Sequence, residues 1–163
     1  MSSQIFEYDI WSSTAAEVGL SEEDWKAECK WVKDFNEATD TLDWELWKEF
    51  WTEDAFFKFA GYPRLDGREQ IGVFLRAHFA KYKMMEHRAT RHTYDLPRGI
   101  IYQGLVVTSV VKDDPEDRLT TVLAMNILYR RPGESQIRGM EIFTDMSPME
   151  KVYQDVMTKL GKW

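Results

Sequence analysis

The chain has 163 residues, of which 44% are hydrophobic, 30% are charged and 14% are aromatic. Its formal net charge is -7, which argues against nucleic acid or an anionic membrane as the main partner, because both require a basic surface. This length and composition predict one globular domain with a substantial core and exclude a disordered chain.

The single cysteine, Cys29, cannot form an intrachain disulfide and is predicted to be a small buried residue of a reducing compartment. The first residues, MSSQIFEYDIWSS, lack the basic start and apolar run of a signal peptide. No stretch approaches the roughly 18 uninterrupted apolar residues of a membrane span. We therefore expect a cytoplasmic protein that does not enter a membrane.

The N-terminal part of the chain differs in pattern from the rest. Residues 1–20 show no sustained hydrophobic period and are interpreted as an N-terminal extension, followed by a single domain over residues 21–163. Three apolar residues of the extension are expected to pack on the domain: Ile5, Phe6 and Trp11.

Two helices and a strand are predicted next. The first helix begins at Ser21, whose hydroxyl can cap it, and ends near Asp40. The stretch LDWELWKEFWTEDAFFKFAG, residues 42–61, continues with a short helix and then a strand that carries Phe57 and Phe59 on one face. Most of these rings are interpreted as core, and Phe57 and Phe59 as walls of a cavity.

The remainder predicts one more helix, four antiparallel strands and a closing helix. Apolar residues recur at helical spacing from Ile71 to Tyr82, and Pro148 opens the last helix. Alternating and β-branched stretches predict the four strands: residues 85–96, 100–111, 119–131 and 136–146. Helices on one side of a curved antiparallel sheet make an α+β two-layer domain.

This order of elements resembles the nuclear transport factor 2-like superfamily, and within it the SnoaL-like and scytalone dehydratase-like group. The resemblance covers roughly residues 21–161 and is carried by WKAECKWVKDFNEATDTLDWELWKEFWTEDAFF, LDGREQI and the strands ending in EIFTDM. It implies a cone-shaped curved antiparallel sheet with helices packed on its concave side, around an apolar cavity. Members that catalyse usually carry out acid–base chemistry there without a metal or cofactor, and the resemblance implies the same here.

The resemblance also implies roles for polar residues. TDTLDW is similar to the dehydratase segment with a pocket acid, which implies Asp40. MEHRA implies His87 as the catalytic histidine, and AMNIL implies Asn126 as the residue that orients the substrate. Glu141 and Asp145 are the carboxylates of QIRGMEIFTDM, where SnoaL-like cyclases are expected to carry an acid.

Some family positions carry other residue types in this chain. Phe59 and Thr39 stand where the dehydratase has tyrosines, and its second histidine falls near Thr108 or Ser109. Tyr62 follows Phe59 closely enough to supply a hydroxyl in place of the missing tyrosine. Five aromatic residues are therefore predicted to contact a ligand: Trp31, Trp47, Phe57, Phe59 and Tyr62.

Each candidate also has a purely structural interpretation. Asp40 can end a helix, Asp145 can cap the last helix, Glu141 can face solvent, and Asn126 can bond across the sheet. The other two histidines are weaker candidates. A regular strand would turn His92 away from His87, because the two differ by an odd number of positions. His78 lies on an apolar helix stripe and is interpreted as a core histidine, and the three histidines lack the spacing of a metal site.

The leading hypothesis is a cofactor-free lyase or isomerase, of dehydratase or cyclase type, acting on a hydrophobic polyketide- or terpenoid-like metabolite. His87 would move a proton and Asn126 would hold a carbonyl or hydroxyl. Two alternatives without chemistry stay open: a module that binds an apolar ligand, and an interaction protein that forms a homodimer through the outer face of its sheet. A cavity under about 100 Å³, well below the roughly 300 Å³ or more of usual ligand pockets, would favour the interaction protein.

Overall fold

The computed structural model describes residues 11–162, and the predicted packing of Ile5, Phe6 and the Trp11 side chain lies outside what it describes. Seven strands of the described chain form one sheet: β1 (Trp11–Ser12), β2 (Trp51–Phe59), β3 (Leu65–Asp66), β4 (Tyr82–Asp95), β5 (Ile100–Val111), β6 (Leu119–Tyr129) and β7 (Ile137–Thr144). Their order across the sheet is β1-β4-β5-β6-β7-β2-β3.

The centre of the sheet is antiparallel, as predicted. Strands β4, β5, β6 and β7 are consecutive neighbours and pair antiparallel. Toward the edges, β1 pairs parallel with β4 and β2 pairs parallel with β7. Short hairpins impose antiparallel pairing only on strands that follow one another, and neither of these two pairs does. Because β1 lies within the predicted N-terminal extension, part of that extension belongs to the sheet.

Five helices accompany the sheet in the described part of the chain: α1 (Ala15–Val18), α2 (Glu22–Asp40), α3 (Trp44–Trp47), α4 (Arg68–Phe79) and α5 (Ser147–Lys159). The Ser21 hydroxyl accepts a hydrogen bond from the Asp24 backbone N–H at 3.1 Å and caps α2 as predicted. Two predicted boundaries are wrong, because Trp51 opens β2 and Tyr82 opens β4 instead of ending helices. None of these helices is both long and apolar enough to cross a membrane.

The aromatic stretch of residues 42–61 is mostly core. Phe35 of α2 and Trp47 of α3 pack with Phe57 of β2 in the larger of two apolar clusters. The second cluster lies under α5, where Met149 packs with strand residues that include Leu105. The helices therefore cover one face of the sheet with large rings, and what remains between them is a narrow space.

A β-bulge in β4 decides which histidines face that space. Ala89 pairs with Leu105, but Arg91 pairs with the next residue, Gly104, so Thr90 is an extra residue without a partner. Gly104 leaves room for it, because a Cβ there would lie 3.2 Å from the Thr90 hydroxyl oxygen. One extra residue reverses the alternation of the strand.

His92 consequently faces the same way as His87, because their partners Gln103 and Val107 share one face of β5. The prediction that the two histidines lie on opposite faces is wrong. The prediction assumed a regular strand. The bulge inserts one residue between the two histidines, which places His92 on the same face as His87.

A buried ion pair joins α2 to the end of β6. The Glu28 carboxylate accepts hydrogen bonds from both terminal nitrogens of Arg130 and from the Gly133 backbone N–H, the latter at 2.9 Å. The two side chains are only 3% and 2% exposed. The Arg130 guanidinium also lies over the Trp31 ring, 4.0 Å from its centroid. This ion pair sets the distance between α2 and the sheet at this point.

Replacing Arg130 by methionine is expected to lower the free energy of unfolding by about 3–5 kcal/mol, because it leaves the Glu28 carboxylate buried without its charged partner. Urea denaturation measures the loss. The double variant Glu28→Met/Arg130→Met should recover much of it. As a control, Arg138→Met removes a half-exposed pair with Glu134 and should cost under about 1 kcal/mol. Equal stability of Arg130→Met and the unmodified protein would contradict the anchoring role.

Candidate active site

A small apolar cavity lies between α2, α4 and the covered face of the sheet. Its walls are formed mainly by aromatic, branched and methionine side chains, and its volume is about 50 Å³. This is below the roughly 100 Å³ under which an interaction protein is favoured, and well below usual ligand pockets. In this conformation the cavity has room for a few water-sized groups but not for a polycyclic ligand.

His87 lies in the cavity wall and is hydrogen-bonded to Asp40, which lies outside the wall. The Asp40 Oδ1 atom lies 2.7 Å from Nδ1 of His87 and accepts a second hydrogen bond, of 3.0 Å, from the His87 backbone N–H. The side chains are 14% and 29% exposed. A carboxylate can only accept a hydrogen bond, so Nδ1 of His87 is the donor in this contact, and in a neutral imidazole Nε2 would then be the acceptor.

The two residues meet because α2 ends where β4 crosses beneath it. Asp40 is the last residue of α2, and His87 lies on the covered face of β4. Asp40 ends α2, as its structural interpretation predicted, and it also contacts the candidate catalytic histidine. It does not itself line the cavity, so the prediction of a pocket acid is not matched.

Asn126 lies in the cavity wall on β6. It is 3% exposed, and its Oδ1 atom has no hydrogen-bond partner among the described residues. A buried amide without a partner is costly, so the proposed bond across the sheet is not what holds it. Its side chain is therefore free to bond a ligand.

His78 on α4 also lines the cavity, which the interpretation as a core histidine did not include. Its ring is parallel to Phe74 at a centroid distance of 6.1 Å and lies 5.3 Å from the Phe59 ring. Burial, helped by the charges of Lys81 and His87, lowers the pKa of His78 to about 4. It is neutral at pH 7, so it offers a hydrogen bond but no charge.

Three of the predicted aromatic contacts line the cavity, namely Trp47, Phe57 and Phe59. The prediction for Trp31 is not matched, because its ring turns outward under Arg130 and its Nε1–H donates to the Ser135 carbonyl at 2.9 Å. Tyr62 is 46% exposed. Its ring packs on the outside of Phe59, so its hydroxyl does not replace the missing tyrosine in the wall.

The two late carboxylates also lie outside the cavity. Glu141 alternates with the wall residues Met140 and Ile142 and therefore faces the other side of β7, where it accepts a hydrogen bond from the Tyr129 hydroxyl at 3.1 Å. Asp145 is exposed and accepts hydrogen bonds from the side chain and backbone N–H of Ser147, which lower its pKa. It bonds Ser147, the first residue of α5, but the N-cap residue of that helix is Met146, so the predicted capping role is not matched.

Several wall residues had no signal in the sequence analysis. Asn36 lies one helical turn before Asp40 on α2, and that spacing of four could have indicated it. Four methionines also line the cavity: Met85, Met140, Met146 and Met149. Cys29 is only partly buried, unlike its prediction. Among residues 11–162 no three His, Cys, Asp or Glu side chains are grouped to hold a metal ion.

Comparison with known families agrees with this geometry. The sequence profile of the SnoaL-like domain matches residues 29–135, which contain the C-terminal part of α2 and most of the sheet with His87 and Asn126. A search of curated proteins by sequence gives no match.

Solved structures share the fold at low sequence identity. The BvnE pinacolase of Penicillium brevicompactum is 14% identical over 80% of this chain and 93% of its own, with a TM-score of 0.64. An epoxide hydrolase of M. tuberculosis is 14% identical over 80% and 92%, with a TM-score of 0.59. A protein of ketosteroid isomerase-like fold from Catenulispora acidiphila, solved with trimethylamine, is 15% identical over 76% and 92%, with a TM-score of 0.64. At these identities the likeness shows the fold.

Acidification is expected to destabilise the protein between pH 6.5 and 4 through His78 and His92. Burial lowers the pKa of each to about 4 from an ordinary value of 6.5. In that range the unfolded chain binds more protons, so stability falls as pH falls, by up to about 1.4 kcal/mol per pH unit for each histidine. Urea midpoints at pH 7, 6, 5 and 4 measure the slope. His78→Gln and His92→Gln should each flatten it, and an unchanged slope in both would contradict the assignment.

Proposed function

The chain belongs to the SnoaL-like domain family, and from that premise we propose that it is a cofactor-free lyase or isomerase, of dehydratase or cyclase type, for a hydrophobic polyketide- or terpenoid-like molecule. The observation that carries the proposal is the 2.7 Å contact between Asp40 and Nδ1 of His87 in the wall of an apolar cavity. The cytoplasmic location expected from the sequence stays a prediction.

His87 is the proton-transfer group in this proposal. Asp40 holds the Nδ1 proton, which leaves Nε2 to remove a proton from a carbon next to a substrate carbonyl. The imidazolium that forms is stabilised by the Asp40 carboxylate. The apolar walls strengthen this charge interaction, because little water screens it.

Asn126 is the group that orients the substrate in this proposal, because its amide can bond a carbonyl or hydroxyl at a distance from the reacting carbon. When the proton leaves, negative charge moves onto the carbonyl oxygen next to the reacting carbon, and the imidazolium beside it is the counter-charge. The imidazolium then returns its proton to another carbon, which completes an isomerisation. Alternatively it gives the proton to a departing hydroxyl, which leaves as water and completes a dehydration.

Ligand entry requires the cavity to widen, because about 50 Å³ does not admit such a substrate. The part of the wall that can adapt to a ligand consists of four methionines: Met85, Met140, Met146 and Met149. Methionine is unbranched and repacks at low cost. The polar pair is held by hydrogen bonds, so it can keep its geometry while the methionines move.

Transfer of the proton is tested with His87→Gln and Asp40→Asn. The substrate is the molecule that purified protein retains from a cell extract, identified by mass spectrometry. His87→Gln should lower kcat by about 10²–10⁴-fold. Asp40→Asn should lower kcat with little change in KM, because Asp40 does not line the cavity.

Asp34→Asn serves as the matched control, since it makes the same substitution on the surface of α2, where Asp34 pairs with Lys30. It should leave kcat unchanged. Turnover by His87→Gln at the rate of the unmodified protein would refute the catalytic role.

A second candidate, a homodimerising interaction protein, is favoured by the small cavity and by the outer face of the sheet. Leu123, Met125 and Phe143 are 57%, 38% and 53% exposed there. Met125 and Phe143 are direct partners on β6 and β7, so the three form one apolar patch. Such patches mark association surfaces.

Association through this patch predicts a dimer in sedimentation velocity. The double variant Leu123→Glu/Phe143→Glu should sediment as a monomer, because it places charges in the apolar contact. Val73→Glu is the control, since Val73 is 66% exposed on α4, away from the sheet face, and this variant should remain a dimer. A monomeric unmodified protein would rule out this candidate.

A further inference from the structure

A row of three polar side chains crosses the covered face of the sheet beyond Asn126. His92 of β4 pairs with Gln103 of β5, and Gln103 pairs with Asn126 of β6. Direct partners share a face and lie side by side. The three residues are 8%, 0% and 3% exposed, so the row is enclosed along its whole length.

The row carries hydrogen-bonding atoms without partners in the described part of the chain. These are Nε2 of His92, Oε1 and Nε2 of Gln103, and Oδ1 of Asn126. Folded proteins pair nearly all their buried polar atoms, and leaving them unpaired is unfavourable. Four such atoms in adjacent positions therefore call for an explanation, since apolar residues would pack there at lower cost.

The surroundings of the row are mostly apolar and leave it uncharged. The Trp25 ring of α2 covers the His92 end at a centroid distance of 6.3 Å. Burial lowers the pKa of His92 to about 4, although the Glu28 charge opposes this shift. That carboxylate is neutralised by Arg130. At neutral pH the row therefore offers neutral donors and acceptors, which suit an uncharged ligand group.

One end of the row lines the cavity, at a distance from the candidate catalytic histidine. Asn126 lines the cavity, and Gln103 lies directly beside it and two residues from the wall residue Leu105. His87 lies in the sheet row of Val107 and Val122. Asn126 lies four positions after Val122 on β6, which is about 13 Å along a strand.

We propose that Gln103 and Asn126 form a second polar subsite, which binds an uncharged oxygen function of the ligand, a carbonyl or a hydroxyl, at the end of the cavity remote from His87. This rests on the proposed function, and it narrows the substrate to an apolar skeleton that carries an oxygen group toward each end. One group reaches His87 and the other reaches the amides. Gln103 is then the specificity-determining residue of the remote end.

Two small probes test the subsite without turnover. Acetophenone carries one oxygen function, and 4-hydroxyacetophenone carries two at opposite ends of its ring. The dissociation constants of both probes are measured by isothermal titration calorimetry. The unmodified protein should bind the two-function probe about tenfold more tightly, as one additional hydrogen bond at a buried site provides. Gln103→Met, which keeps the side-chain length, should abolish that preference.

The thermal midpoint of the free protein gives an independent readout. Gln103→Met should not lower it, because the substitution removes unpaired buried atoms. Gln154→Met on the exposed face of α5 is the matched control and should retain the tenfold preference. Asn126→Leu is a second variant, with the same expected loss of preference.

Equal binding of the two probes by the unmodified protein would overturn the subsite, as would a preference that survives Gln103→Met or a lowered thermal midpoint in that variant. The last result would show that the Gln103 amide is already satisfied in the free protein. Failure of the subsite is distinguishable from failure of the proposed function, because probe affinity does not depend on His87-dependent turnover.

Discussion

Two hydrogen bonds to a single carboxylate oxygen fix the geometry on which the candidate site depends. Asp40 accepts from the backbone N–H and from Nδ1 of His87, so the last turn of α2 is joined to one residue of β4. The buried pair of Glu28 and Arg130 holds the same helix at another point. Between these two contacts, the Trp31 Nε1–H bonds the Ser135 carbonyl, and Val32 and Phe35 of α2 pack into the apolar cluster.

The three histidines show how local environment separates residues of one type into different roles. His78 and His92 are buried among rings, and burial keeps both neutral at pH 7. His87 differs because a carboxylate is hydrogen-bonded to its ring. This contact with a carboxylate is the feature on which the proposed role of His87 in proton transfer rests.

The sequence was sufficient for the fold and for part of the site. Helical spacing and strand alternation predicted the helix that ends at Asp40 and the four central strands, because these signals are local. The faces of Trp31 and His92 were not predictable in this way. Trp31 turns outward because of Arg130, about 100 positions later in the chain, and His92 turns inward because of a bulge that leaves no strong local pattern. The hydrophobic period of a sequence does not reveal contacts with residues far along the chain, nor single residues inserted in a strand.

The extra residue at the bulge, Thr90, affects the bend of β4 without changing which side chains line the interior. Thr90 has no partner across the sheet, whereas the residues on both sides keep theirs. A chain that lost this one codon could keep every inward side chain while its backbone became straighter, since bulges add bend and twist. In this architecture, inserting or deleting a strand residue can therefore change the width of the interior, whereas substitution changes the chemistry of its lining. The two can evolve separately.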